Sequence, residues 1–387
     1  CMWGLDMYHK KGWVEMRKIF LLIALAMSIS YAQDPNLHIY LAYGQSNMSG
    51  QATVTDADRA QDPRFLVLRA ANHSNQKVGE FYPAAPPMGH SESKVGIVDI
   101  FGRTMVKNLP DSIRVAVANV AIGGQSIDLF DYERNAAYVQ AAKNKNDTWW
   151  IQYLDEYGGD LYKRIIEMGE IAKKKGVIKG FLFHQGEADY QMSDWPKRVK
   201  KVYDDIIAEL GLDPIKVPIL IGELATTAAG GDLGWRNSAV AEAADLIPNG
   251  HLISAEGCPA LKEASYTLHF TREGYDMFGA RYAEKMLEIL KKEQDAEMAA
   301  KAYEDSVKAA AQDSISKDVP DTSVSQVDSI LPVNPPSDTV MAISAGRKSL
   351  NSLSESPRLV YDRHEQKLFI RVRKNGVEKQ YEVTGSR

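Results

Sequence analysis

A chain of 387 residues, 44% hydrophobic and 25% charged, has room for one large domain or two ordinary ones and for a substantial core. Its net charge of −5 is unevenly spread: residues 344–387 hold ten Lys/Arg against five Asp/Glu, which puts that tail at +5 and the remainder at −10. An acidic bulk with a short basic tail interrupted by acids excludes a nucleic-acid binder.

Residues 1–15 carry no readable pattern and are expected to be a non-native or mis-started leader. Met16-Arg17-Lys18, the apolar run at 19–29 and the small-residue exit Ser30-Tyr31-Ala32 then have the anatomy of a secretory signal peptide, 16–32, cleaved after Ala32. The run is too short for a membrane anchor, which needs about 20 residues. The expected location is secreted, periplasmic or cell-surface. Of the two cysteines, Cys1 precedes this signal, so the mature chain keeps only Cys258, read as core or pocket wall.

From residue 33 onward, six apolar, β-branched-rich runs predict strands buried on both faces: 37–43, 65–68, 115–121, 177–183, 217–222 and 251–255. Amphipathic segments at 97–109, 160–175, 195–210, 236–246 and 272–292 predict helices, with Asp160 and Thr271 as N-caps and Gly176 and Gly211 as stops. Strands alternating with helices imply an α/β fold, a three-layer α/β/α sandwich around a central parallel sheet, over 33–293. Residues 294–343 pass from an Ala-rich helix to a Ser/Asp/Pro linker, and 344–387 alternate apolar and polar residues around a Lys-Asn-Gly turn, as a small basic β module would.

In open parallel sheets ligands bind at the carboxyl ends of the strands, and the chemistry-bearing motifs fall there. Ser46 follows the first strand in Gly44-Gln45-Ser46-Asn47-Met48, a glycine-led turn that suits an exposed nucleophile. A serine hydroxyl needs a base, and of the eight histidines only His184 and His269 lie near that edge. His184 opens His-Gln-Gly-Glu after the fourth strand, which brings Gln185 and Glu187 to the same place. Gly123-Gly124 follows the third strand and offers backbone N–H groups to an oxyanion. Together these are the parts of a Ser-His-acid hydrolase.

The motifs GQSNM, GG-x-S-I, HQGE and the late LHF, in order over about 36–292, resemble the sialate O-acetylesterase-like branch of the SGNH hydrolases, which includes the carbohydrate esterase family 6 acetyl xylan esterases. That resemblance implies a flavodoxin-like sandwich and removal of acetyl groups from sugar esters without a metal or other cofactor. It makes Ser46 the nucleophile and His269 the general base. Ser46 and Gly124 N–H groups, with the Gln185 side-chain amide, would form the oxyanion hole. SGNH enzymes commonly place an Asp three residues before the histidine, where this chain has Tyr266. Glu187 is the expected replacement, and Glu263 is the local alternative.

Gln45, Asn47, Gly123, His184, Trp195 and Trp235 are candidate substrate-binding residues, and Trp149, Trp150 and Tyr190 add aromatic surface in neighbouring loops. The expected substrate is an acetylated plant cell-wall polysaccharide, most directly acetylated xylan. Sialate or another carbohydrate O-acetyl ester is the alternative, and a non-catalytic glycan binder on an inactivated esterase scaffold is a second, motivated by Tyr266. Residues 344–387 are candidates for contact with polysaccharide or with export machinery.

Overall fold

The computed structural model describes residues 33–316 apart from residue 74, and segments 358–362, 367–374 and 377–382. The expected leader and signal peptide, residues 317–343 of the expected linker and the start of the expected basic tail lie outside the described residues. Two compact units, Cys1–Glu288 and Ile289–Arg387, divide the chain.

All six predicted runs form strands: β1 (Leu37–Gly44), β2 (Phe65–Leu68), β4 (Arg114–Ala121), β5 (Val177–His184), β6 (Ile219–Gly222) and β7 (Gly250–Ile253). With β3 (Phe81–Pro83) they make a seven-stranded sheet in the order β3-β2-β4-β1-β5-β6-β7. Every pairing is parallel except that of β3 with β2. β3 has no predicted counterpart. It is three residues long and ends in proline, which an edge strand tolerates because no neighbour needs its N–H.

The helices are α1 (Ser46–Ser49), α2 (Ile97–Asn108), α3 (Asn135–Asn144), α4 (Ile151–Glu156), α5 (Leu161–Lys175), α6 (Trp195–Glu209), α7 (Asn237–Leu246) and α8 (Arg272–Ser316). Asp160 caps α5 by accepting from the Lys163 N–H at 3.0 Å, and Thr271 Oγ1 accepts from the Gly274 N–H at 3.1 Å as α8 begins. Period-two alternation sorts β1: Ile39, Leu41 and Tyr43 join the core under α5, α6 and α7, while Tyr40 meets Phe101 of α2 edge-on at 4.8 Å on the other face. α8 lies on that second face, where Gly279 lets it pass close to Ile97 and Ile100 of α2. The result is the expected three-layer α/β/α sandwich.

β1 lies between β4 and β5; the chain leaves β1 towards β2 on one side of the sheet and leaves β5 towards β6 on the other. This is the topological switch point, where the loops after β1, β4 and β5 part and leave a crevice. Cys258 is buried in the core. Among the described residues no helix is long and apolar enough to cross a membrane. In the second unit, β10 (Arg358–Asp362), β11 (Lys367–Lys374) and β12 (Val377–Glu382) form an antiparallel sheet in chain order, the expected small β module.

Candidate active site

Gly44 ends β1 at φ +149°, a backbone conformation in which any side chain is strained, and a Cβ there would collide with the His184 carbonyl. That close approach lets the Gln45 N–H donate to the His184 carbonyl at 3.0 Å, tying the end of β1 to the end of β5. The chain then turns into α1 with Ser46 at its start. Asn47 points inward: its amide donates to Glu187 Oε1 at 2.7 Å and to the Leu268 carbonyl at 3.0 Å, and its Oδ1 accepts from the Tyr275 hydroxyl at 2.6 Å. One side chain thus connects the nucleophile turn, the β5 loop and the segment leading to His269.

After β7, two short strands, β8 (Ala260–Leu261) and β9 (His269–Phe270), pair antiparallel with Leu261 opposite His269. Within this hairpin the Glu263 N–H donates to the Tyr266 carbonyl at 3.0 Å, folding the Glu263 side chain back over β9. Its Oε2 lies 2.8 Å from His269 Nδ1, and His269 Nε2 lies 2.9 Å from Ser46 Oγ. Carboxylate acceptance fixes the proton on Nδ1 and leaves the Nε2 lone pair facing the serine hydroxyl. The hairpin is braced by Asp232, which accepts from the Thr267 N–H at 2.7 Å, and by Arg272, whose guanidinium grips Asp58 at 2.7 and 2.9 Å.

The expectation that Glu187 orients His269 is therefore corrected: the partner of Nδ1 is Glu263, the local alternative. Glu187 lines the cleft, receives Asn47, and stands 3.8 Å from His184 Nδ1, while its Oε2 has no hydrogen-bond partner. His184 donates Nε2–H to the Glu223 carbonyl at 3.0 Å and is fully buried, which holds its pKa below the usual histidine value.

Gln185 is also displaced from its expected role. Its amide donates to Asp189 Oδ2 at 2.6 Å and to the Gln125 carbonyl at 3.2 Å, and its Oε1 accepts from Trp195 Nε1 at 2.5 Å. Every polar atom is spent on structure. Trp195 is accordingly a core residue, 1% exposed, and not a sugar platform.

A cleft of about 500 Å³ opens over these strand ends. Of the expected substrate-binding residues, Gln45 and Gly123 line it; Asn47, His184, Trp195 and Trp235 do not. A Cβ on Gly123 would lie 3.3 Å from Ser46 Cβ, so glycine keeps the floor open beside the nucleophile. The Ser46 and Gly124 N–H groups donate to no backbone acceptor among the described residues. Gln45 Oε1 is held by the Ala188 N–H at 3.2 Å, which leaves its Nε2 at the cleft.

The aromatic walls are Trp149, Tyr153 and Tyr266, and only Trp149 was among the candidate platforms. Trp150 is buried, and Trp235 and Tyr190 are exposed outside the cleft. Tyr266, in place of the usual Asp, stands edge-on to His269 with ring centroids 5.9 Å apart. His90 also lines the cleft, stacked on Tyr153 at 4.3 Å and 3.0 Å from Ser49 Oγ; burial pushes its pKa down to about 4. Nothing in its polar sequence context marked it. Among the described residues no group of three or more His, Cys, Asp or Glu side chains is placed to hold a metal ion.

Among solved structures, the chain is similar to a protein from Arabidopsis thaliana, with 21% identity and a TM-score of 0.49, covering 66% of this chain and 98% of that one. NanS shows 15% identity and a TM-score of 0.49 over 67% and 99% of the two chains. A carbohydrate acetylesterase from Xanthomonas citri shows 19% identity and a TM-score of 0.44 over 63% of this chain and 55% of that one. Residues 36–288, more than half of the chain and the whole of the sheet with its strand-end motifs, match the model of one family. The chain belongs to the carbohydrate esterase, sialic acid-specific acetylesterase family.

Proposed function

We propose that this protein is a serine esterase that removes O-acetyl groups from carbohydrate, with Ser46 as nucleophile, His269 as general base and Glu263 as the acid that orients His269. The observation that carries the reading is the continuous pair of contacts from Glu263 Oε2 through His269 to Ser46 Oγ, 2.8 and 2.9 Å, at the floor of an open cleft. Ser46 Oγ attacks the acetyl carbonyl while Nε2 takes its proton, and His269 then returns that proton to the departing sugar oxygen. Water, activated by the same nitrogen, releases acetate from the acetyl-serine. The Ser46 and Gly124 N–H groups and the Gln45 side-chain amide are the donors proposed for the oxyanion, with Gln45 replacing Gln185.

The proposed substrate is acetylated xylan, met after export through the signal at 16–32. A second reading, an O-acetylated sialic acid, is supported by the description of the matching family. The non-catalytic reading loses its motive, since Glu263 supplies the carboxylate that Tyr266 lacks. Acetate release from acetylated xylan and from O-acetylated sialic acid, each with Ser46→Ala alongside, tests all three. Release that survives Ser46→Ala refutes the mechanism, and the faster substrate identifies the glycan.

A further inference from the structure

Arg69 leaves β2 on the side of the sheet near β3 and carries its guanidinium into the protein, where the residue is 2% exposed. Nη1 donates to the Pro87 carbonyl at 2.9 Å and lies 3.4 Å from His73 Nε2. That second contact is compromised, because His73 Nε2 is also 3.1 Å from the Gly89 carbonyl. A carbonyl only accepts, so satisfying Gly89 puts the proton on Nε2 and leaves no lone pair for Arg69. Arg69 Nε has no partner at all, and no carboxylate forms an ion pair with it among the described residues. Burial alone holds the guanidinium below its usual pKa, with only tyrosines nearby to oppose the shift.

A buried cation with five donors and one unambiguous acceptor is costly to keep unless something else pairs with it. The surroundings supply room for that something. A cavity of about 240 Å³ is bounded by Arg69, His73, Asn75, Gln76, Gln61 and the prolines at 83, 86 and 87. In its wall Gln76 Oε1 is buried without a donor. An unmet cation and an unmet acceptor therefore border one space.

We propose that this cavity is a binding site for a small oxyanion, paired with Arg69, and that a carboxylate flanked by hydroxyls, as in a sugar acid, meets both demands because a hydroxyl can donate to Gln76. The site is distinct from the catalytic cleft; the two share no lining residue.

Isothermal titration calorimetry of the full chain with sodium glucuronate, sodium sulfate and neutral glucose tests this. Saturable binding of glucuronate or sulfate is expected, weakened on the order of tenfold or more by Arg69→Met, with none for glucose. Glucuronate binding tighter than sulfate, and losing that advantage in Gln76→Leu, assigns the ligand to hydroxy acids. Sulfate binding tighter assigns it to inorganic anions. Should Arg69→Met fail to fold, Gln76→Leu still tests the site by that comparison. Absence of binding by either anion, an Arg69→Met variant that binds like the parent, or weakening by Trp149→Ala in the catalytic cleft would each overturn the proposal.

Discussion

Replacing Glu263 by Gln separates the two carboxylates that compete for the role beside His269. In the proposed mechanism, His269 becomes an imidazolium as the serine proton moves, and its charge lies about 4 Å from the carboxylate, given the 2.8 Å contact to Nδ1. Two unit charges at that distance attract by about 4 kcal/mol at an effective dielectric constant near 20. Because the Glu263 side chain is 27% exposed, solvent screening reduces this to about 2–4 kcal/mol. That corresponds to a fall in kcat of about 30-fold to 10³-fold. Gln can also present its amide N–H to Nδ1, favouring the wrong tautomer and deepening the loss. Glu187→Gln keeps an acceptor for Asn47 and is expected to cost less than about tenfold. Steady-state hydrolysis of an aryl acetate, with circular dichroism to confirm folding, measures both. A Glu263→Gln variant within about threefold of the parent, beside a Glu187→Gln variant as slow as Ser46→Ala, would refute the assignment.

Three further outcomes follow from the same geometry. Arg272→Met leaves Asp58, whose side chain is 7% exposed, with only its Thr55 donors, and because Arg272 is itself 39% exposed the expected loss of stability in thermal melts is about 1–3 kcal/mol, with Asp58→Asn/Arg272→Met recovering part of it. Asp99 is fully buried and its desolvation raises its pKa to about 7, so the native state holds a proton that the unfolded chain releases near pH 4. Its contribution is complete below about pH 4 and is lost as pH rises towards 7, by up to about 4 kcal/mol. Asp99→Asn should therefore flatten stability between about pH 4 and 7 in denaturant titrations, and an unchanged slope would rule out Asp99 as the source. Trp149→Ala, which removes an exposed indole from the cleft wall, is expected to raise KM for polymeric acetylated glycan about tenfold while leaving aryl acetate hydrolysis nearly unchanged.

The sequence by itself determined the sheet, because strands buried on both faces must be apolar along their whole length; β1 shows this, with eight buried residues out of eight. It also placed Ser46, Gly123, Gly124, His184 and His269 at one edge, since a parallel sheet puts the ends of all its strands together. Short or polar elements were not legible. β3, α1, α3 and α4 carry too few periodic residues to stand out from loops, and β8 and β9 hold two residues each.

Only the tertiary structure decided which carboxylate serves His269. Glu187 lies in a recognisable motif, but its Oε1 is held by Asn47, a contact across 140 positions that no local pattern encodes, and His269 Nδ1 instead meets Glu263. Glu263 is brought in by the pairing of Leu261 with His269, and strand register depends on partners distant in sequence. Gln185 and Trp195 were lost to the core for the same reason: a buried amide must satisfy its hydrogen bonds, and it finds them in Asp189 and the indole. Residue type gave the chemistry available at the sheet edge. Packing decided which of those groups remained free to use it.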